Sequence, residues 1–396
     1  MIGRIARIVA LVVAAVLALG LVLAQALALL PVPWIAPLLR VAVPQASIMA
    51  LGWIRSMWDS WLLAVAVVAV ALALLARRGR RSGTAGTVTA LAVLGLVLTL
   101  ITSIGSVLAA HRETGRWILA GPPLPQVVGG RGPDETVAYA SLDGEPMRAD
   151  LYLPQGVPGP VPVVVRIHGG GFVAGARGPT PYNSWLADRG YAVVDVDYRL
   201  SSGDDLRWDT EDADVGCALT WVTAHARQYN WNTDRLATFG DSAGGNLAIN
   251  VAYKIARKAL NPSCGTPDDL PRVRAVLADY PAVDLTGSET DTAEGHRVGR
   301  EYLGGPASRY PERYAATDSA PWIGPDSPPT LLLQGAADHL VFASRTSAFA
   351  DELTAAGVEN RYVRLPFYDH GFDGVPNIGA QVNRDVMLDW LRRHDA

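Results

Sequence analysis

Residues 5–30 read IARIVALVVAAVLALGLVLAQALALL, with Arg7 the only charge and Gln25 the only other polar side chain. A helix of this length, rising about 1.5 Å per residue, is long enough to cross a hydrocarbon core of ~30 Å. Two further apolar runs occupy residues 60–76 and 87–110, separated by RRGRRSGTAG. A helix buried in a soluble core would keep a polar face toward water, and these runs have none. Residues 1–110 are therefore read as a membrane region with three transmembrane helices, about 5–30, 60–76 and 87–110. The stretch 31–57, broken by Pro31, Pro33, Pro37 and Pro44, fits a segment lying along the interface or dipping into it. AQA at 24–26 leaves open a cleaved signal peptide for the first run.

Charge divides the chain at the same seam. Residues 1–110 hold eight arginines, no lysine and one acid, Asp59, for a net +7, whereas residues 111–396 carry −11. Arg4, Arg7, Arg77, Arg78, Arg80 and Arg81 flank the first span and separate the second from the third. Cytoplasmic loops carry the excess of Lys and Arg, so three spans place everything beyond residue 110 outside the cytoplasm. Trp53, Trp58 and Trp61 suit an aromatic belt at the outer interface. The acidic second part, with no basic cluster and no zinc-spaced Cys/His set, argues against nucleic acid as a partner.

Residues 111–134 form the connection, with GPPLPQVVGGRGPD at 121–134 rich in Pro and Gly. Beyond it, TVAYASL and MRADLYLP alternate as an opening antiparallel pair. Short apolar runs follow at 161–168, 191–198, 235–240, 273–280 and 329–335, with helix-length segments at 212–229 and 244–259 between them. Such runs suit strands buried on both faces. Their alternation with helices predicts a mostly parallel sheet covered by helices, an α/β fold over residues 135–396. Sites in such sheets gather at the carboxyl ends of the strands.

The reactive candidates fall at those ends. In FGDSAGG (239–245), Ser242 follows one apolar run and precedes a helix, the context of a strained turn that presents a nucleophile. HGGGF (168–172) supplies Gly170 and Gly171, whose N–H groups, with that of Ala243, can form an oxyanion hole. Asp338, in the loop after 329–335, is the candidate acid, and His370 in LPFYDHGF is the candidate base. His339 directly follows the acid and is a poor base for the same set, while His168 reads as a brace for the glycine loop. The chain order nucleophile, acid, base is that of one known architecture.

HGGGF, GDSAGGN, GAADHLV and DHGF, in this order, resemble the α/β-hydrolase superfamily, in particular the hormone-sensitive-lipase-like and carbohydrate-ester esterases. The resemblance covers residues 135–396. DYRLSSGDD departs from the lipase-like group in lacking the proline and glutamate that often follow YRL there. The resemblance implies a Ser242–His370–Asp338 triad, an acyl-enzyme intermediate, and no metal or cofactor. The expected protein is a multi-pass, membrane-anchored serine esterase acting outside the cytoplasm on a small-molecule, lipid or carbohydrate ester. Alternatives are a non-catalytic ligand-binding module on the same fold and a serine peptidase. Residues 285–327, between two strands, are a candidate cap over the site. Cys217 and Cys264, the only cysteines, either pair in an oxidising compartment or remain free.

Overall fold

The structure is a computed structural model that describes residues 2–78, 83–119 and 130–396. The side chain of Arg4, residues Arg80 and Arg81, and most of the Pro/Gly stretch lie outside the described residues. Five helices come first: α1 (Ile2–Leu29), α2 (Val32–Leu39), α3 (Ala42–Met57), α4 (Asp59–Arg77) and α5 (Gly83–Thr114). Among the described residues, three are long and apolar enough to cross a membrane: Ile5–Leu29, Asp59–Arg77 and Gly83–Thr114. They pack through small residues, Ala14, Ala18, Ala66, Ala69, Ala73 and Ala92, which let the helix backbones approach closely. Gln25 is buried in this bundle, donating to Thr99 Oγ1 at 3.3 Å and accepting from Thr102 Oγ1 at 2.8 Å. Larger apolar side chains point outward instead, with Val12 56% and Val16 65% exposed.

The rest of the chain wraps a sheet that has eight strands among the described residues: β1 (Glu135–Leu142), β2 (Glu145–Tyr152), β3 (Val161–Ile167), β4 (Ala192–Val196), β5 (Trp231–Asp241), β6 (Ala275–Asp279), β7 (Thr330–Gly335) and β8 (Asn360–Leu365). Their order is β1-β2-β4-β3-β5-β6-β7-β8. β2 runs antiparallel to both β1 and β4, and from β4 to β8 all pairs are parallel. The helices on it are α6 (Asn183–Ala187), α7 (Glu211–Tyr229), α8 (Ala243–Ala256), α9 (Leu285–Asp291), α10 (Ala293–Glu301), α11 (Pro311–Thr317), α12 (Ala343–Ala355) and α13 (Ile378–Arg393).

Alternate strand residues face opposite layers, so each apolar run serves two cores at once. Val163, Val165 and Ile167 pack with α7, α8 and α12 through Leu219, Leu247 and Leu353. Val164, Ala237 and Phe239 pack with α6 and α13 through Leu186, Met387 and Trp390. Ala110 of α5 belongs to this second core, so the last long apolar helix ends against the sheet's own helical layer. Residues 111–114, read from sequence as the start of the connection, continue α5. His111 stacks on Trp117 with ring centroids 4.0 Å apart, and Arg361 donates to the Glu113 carbonyl at 2.8 Å, which holds this last turn in place.

Candidate active site

Ser242 sits between β5 and α8 with φ 54° and ψ −119°, a conformation a non-glycine residue adopts only under constraint. The constraint comes from both sides. Its N–H donates to the Asp279 carbonyl at 2.9 Å, and its carbonyl accepts from Asn246 N at 3.1 Å and Ala282 N at 3.2 Å. The flanking glycines serve by close approach rather than by their own torsions. A Cβ on Gly240 would lie 2.1 Å from the Gly244 oxygen, and one on Gly244 would lie 2.2 Å from the Ile167 oxygen. The turn is thus pressed against the end of β3, and the strain rests on the serine itself.

His370, in the loop after β8, reaches back across the strand ends. Its Nε2 lies 2.9 Å from Ser242 Oγ and its Nδ1 lies 2.8 Å from Asp338 Oδ2. Asp338, after β7, is fully buried, and all its acceptor positions are in use. Oδ2 also accepts from Gln334 Nε2 at 2.7 Å, and Oδ1 accepts from the N–H groups of Leu340 and Val341 at 2.8 Å each. Burial alone would depress the imidazole of His370. The adjacent Asp338 carboxylate outweighs it, with Asp369 and Asp241 adding to the effect, and holds His370 above its ordinary value.

The loop after β3 brings Gly170 (φ 132°), Gly171 (φ 62°) and Phe172 (φ 66°) successively into the left-handed half of backbone space. A Cβ on Gly170 would lie 2.0 Å from the Ala174 oxygen. Gly170, Gly171 and Ala243 all line a cavity of about 370 Å³ with Ser242 and His370. Its other walls include Tyr280, Leu340 and Val341, and from residues 285–327 it takes Leu285, Ser288, Glu294, Gly295 and Val298. The cavity is therefore apolar except at Ser242, His370 and a few hydroxyl and carboxylate groups. His168 lies outside this arrangement: its ring stacks on Tyr198 and its Nδ1 meets the Gly169 carbonyl at 2.8 Å. Asp241 accepts from Arg166 Nη2 at 2.7 Å beneath the serine turn.

Several neighbours escaped sequence reasoning. Asp369, next to the base, accepts from the His339 and His370 N–H groups at 2.9 and 2.8 Å, and its Oδ2 lies 2.6 Å from His339 Nδ1. The adjacency in YDHGF was its only signal. Tyr280 packs edge-on against the His370 ring with centroids 4.6 Å apart while its hydroxyl donates to Asp373 at 2.7 Å. Of the two states the sequence left open for Cys217 and Cys264, the structure has the pair: they form a disulfide with Cα atoms 4.9 Å apart, tying α7 to the segment beyond α8.

The chain is similar to known proteins. A family model described as BD-FAE matches residues 149–353. The "Probable carboxylic ester hydrolase LipM" of Mycobacterium tuberculosis is 31% identical over 221 residues, which are 54% of this chain and 50% of LipM. "Esterase LipQ" of the same organism is 27% identical over 238 residues, 58% of this chain and 55% of LipQ. The chain spans about half the length of the curated relatives it matches. A solved truncated carbohydrate esterase from gut microbiota superposes with a TM-score of 0.56 at 19% identity, covering 69% of this chain and 99% of that one. With more than half its residues inside the family match and its sheet superposing on that structure, the chain belongs to the BD-FAE family and has the α/β-hydrolase fold.

Proposed function

We propose that the chain is a membrane-anchored serine hydrolase of carboxylic esters, with Ser242 as nucleophile, His370 as general base and acid, and Asp338 as the group that orients the imidazole. The observation that carries this reading is the unbroken contact from Asp338 to His370 to Ser242, at 2.8 and 2.9 Å, ending on a strained serine inside a cavity. As Ser242 Oγ bonds to the ester carbonyl carbon, its proton passes to His370 Nε2. The carbonyl electrons move onto oxygen, for which Gly170, Gly171 and Ala243, all on the cavity wall, supply the N–H donors of the oxyanion hole. Losing one such donor costs about 3–4 kcal/mol of transition-state stabilisation. The carbon–alcohol bond then breaks and His370 returns the proton to the departing alcohol. Water repeats the cycle on the acyl-serine, releasing the acid and restoring the enzyme. The names of LipM and LipQ support ester hydrolysis as the reaction class.

The domain plan is residues 1–110 in the membrane, 111–134 connecting, and 135–396 catalytic, with 285–327 as the cap that sizes the acyl or alcohol group. Arginines at 77 and 78, between the second and third spans, favour a cytoplasmic loop there and a catalytic domain outside. The Cys217–Cys264 disulfide favours the same oxidising side. The test is hydrolysis of p-nitrophenyl acetate by the detergent-solubilised full chain. Wild type should turn it over and Ser242→Ala should fall to background; equal rates in the two would remove the serine from the mechanism.

A further inference from the structure

α3 has 16 residues, about 24 Å of helix, too short to cross a core of ~30 Å. Its burial is the reverse of a water-facing helix. Gln45, Arg55 and Ser56 are buried, at 3%, 1% and 0% exposure, while Val43 is 76% and Ile54 51% exposed. Ile48 is buried beside them and Ser47 exposed, but burying Gln45, Arg55 and Ser56 while exposing Val43 and Ile54 costs free energy in water and is favourable when the outer face meets hydrocarbon. α3 is thus built to lie in the membrane's surface layer.

Its polar face holds the loop that carries His370. Trp53 Nε1 donates to the His370 carbonyl at 2.6 Å, and Asp369 N donates to Ser56 Oγ at 2.9 Å. Gly52 leaves room for the Asp369 carboxylate against the helix backbone, since a Cβ there would lie 1.7 Å from Asp369 Oδ2. Gln45 joins the site's two other walls, donating to the His339 carbonyl at 3.4 Å and accepting from Glu294 N at 2.9 Å. Glu294 lines the cavity, as does Gly371, whose Cβ position is 4.0 Å from Trp53 Nε1. α3 therefore packs directly behind residues that line the reactive cavity, with its other face turned outward.

We infer that α3 is a working part of the active site. Trp53, Ser56 and Gln45 are positioning residues for His370 and the cavity walls, and the cavity, set at the bilayer surface, takes an ester borne by an amphiphile of that bilayer. This rests on the hydrolase reading above. The hydrocarbon tail stays among the lipids while the carbonyl reaches Ser242, which suits the apolar rim of Leu340, Val341, Leu285 and Val298.

The test uses the full chain in vesicles of ether-linked phosphatidylcholine, so that the only lipid ester present is an added long-chain monoacylglycerol. That ester should be hydrolysed and should slow fluorophosphonate labelling of Ser242, with p-nitrophenyl acetate as the water-borne comparison. Trp53→Phe keeps an aromatic ring and removes the N–H donor. Loosening the base in this way is expected to lower kcat about three- to ten-fold on both substrates with KM unchanged, while the lost hydrogen bond lowers the melting temperature by no more than a few degrees. Ser56→Ala, which strips the acceptor from Asp369 N–H, should behave alike and serves if the first variant folds poorly. The inference is overturned if both variants match wild type in kcat, or if p-nitrophenyl acetate is turned over while the monoacylglycerol is neither cleaved nor competes. Absence of both turnover and labelling with every substrate overturns the hydrolase reading together with it.

Discussion

Asp338→Asn changes one atom and leaves the shape of the site nearly intact. Four donors converge on the native carboxylate: His370 Nδ1, Gln334 Nε2 and the N–H groups of Leu340 and Val341. An asparagine has one acceptor oxygen, and the two backbone N–H groups, fixed in the loop, claim it. Its NH₂ then faces His370 Nδ1 and Gln334 Nε2, donor against donor. Gln334 cannot simply turn over, because its Oε1 already accepts from Thr346 Oγ1 at 3.0 Å. The imidazole relieves the clash by taking the other tautomer, with Nδ1 bare and Nε2 protonated. In that state Nε2 cannot accept the serine proton. The loss from a wrong-tautomer base is of order 10⁴ in kcat, about 5.5 kcal/mol at 1.36 kcal/mol per decade. The buried, unsatisfied donor at Gln334 adds about 1–3 kcal/mol of lost stability. The assay is kcat for p-nitrophenyl acetate at neutral pH beside the melting temperature of the same sample. A loss in kcat of less than ten-fold, with the protein folded, would refute the assigned role of Asp338.

The pH dependence follows from His370. It must be neutral to accept a proton, and its raised pKa means that activity declines as pH falls, with the half-point above the ordinary imidazole value of about 6.5; a half-point at or below that value in kcat/KM contradicts the reading. Replacing both Cys217 and Cys264 with serine opens a loop of 47 residues, for a stability loss of up to about 4 kcal/mol with activity retained at low temperature; an unchanged melting temperature would show that the bridge does not form in the protein. In a cysteine-free variant, Asp204→Cys on the exposed face of the catalytic domain should react with an impermeant maleimide on intact cells, and Arg78→Cys should react only after permeabilisation. The opposite pattern would reverse the orientation.

Much of the fold was legible because its strands are buried on both faces. A run such as VPVVVRI has no periodic ambiguity to resolve, and its loops end on glycine-rich motifs with chemical reasons for their composition. β8 was missed for the converse reason. NRYVRL is an edge strand paired only with β7, and Arg361 and Arg364 interrupt its apolar residues. Ser242, Asp338, Gly170 and Gly171 were legible as candidates because each follows a recognisable strand, and His370 because it stands beside a glycine late in the chain, where the order nucleophile, acid, base puts it. Their contacts were not, since contact depends on how far each loop bends back. Residues 31–57 stayed ambiguous because four prolines obscured two short helices, and because Gln45, Ser56 and Asp59 find their partners more than 240 positions away. Nothing local tells such a residue that it faces Asp369, Glu294 or Ile378. Reading the chain as two separable parts hid the joint between them: Asp59 accepts from the Tyr368 hydroxyl and, at 3.3 Å, from Ile378 N, binding the first turn of α4 to the loop that carries the base and to the start of α13.

The most direct measurement is the mass of the peptide containing residue 242 after the whole chain, purified in detergent, reacts with a fluorophosphonate. A nucleophilic Ser242 activated by His370 gives one phosphonyl adduct on that serine, formed in wild type and abolished in His370→Ala, where the hydroxyl remains but its base is gone. An adduct on another residue, or one that forms on Ser242 at the same rate without His370, would contradict the account.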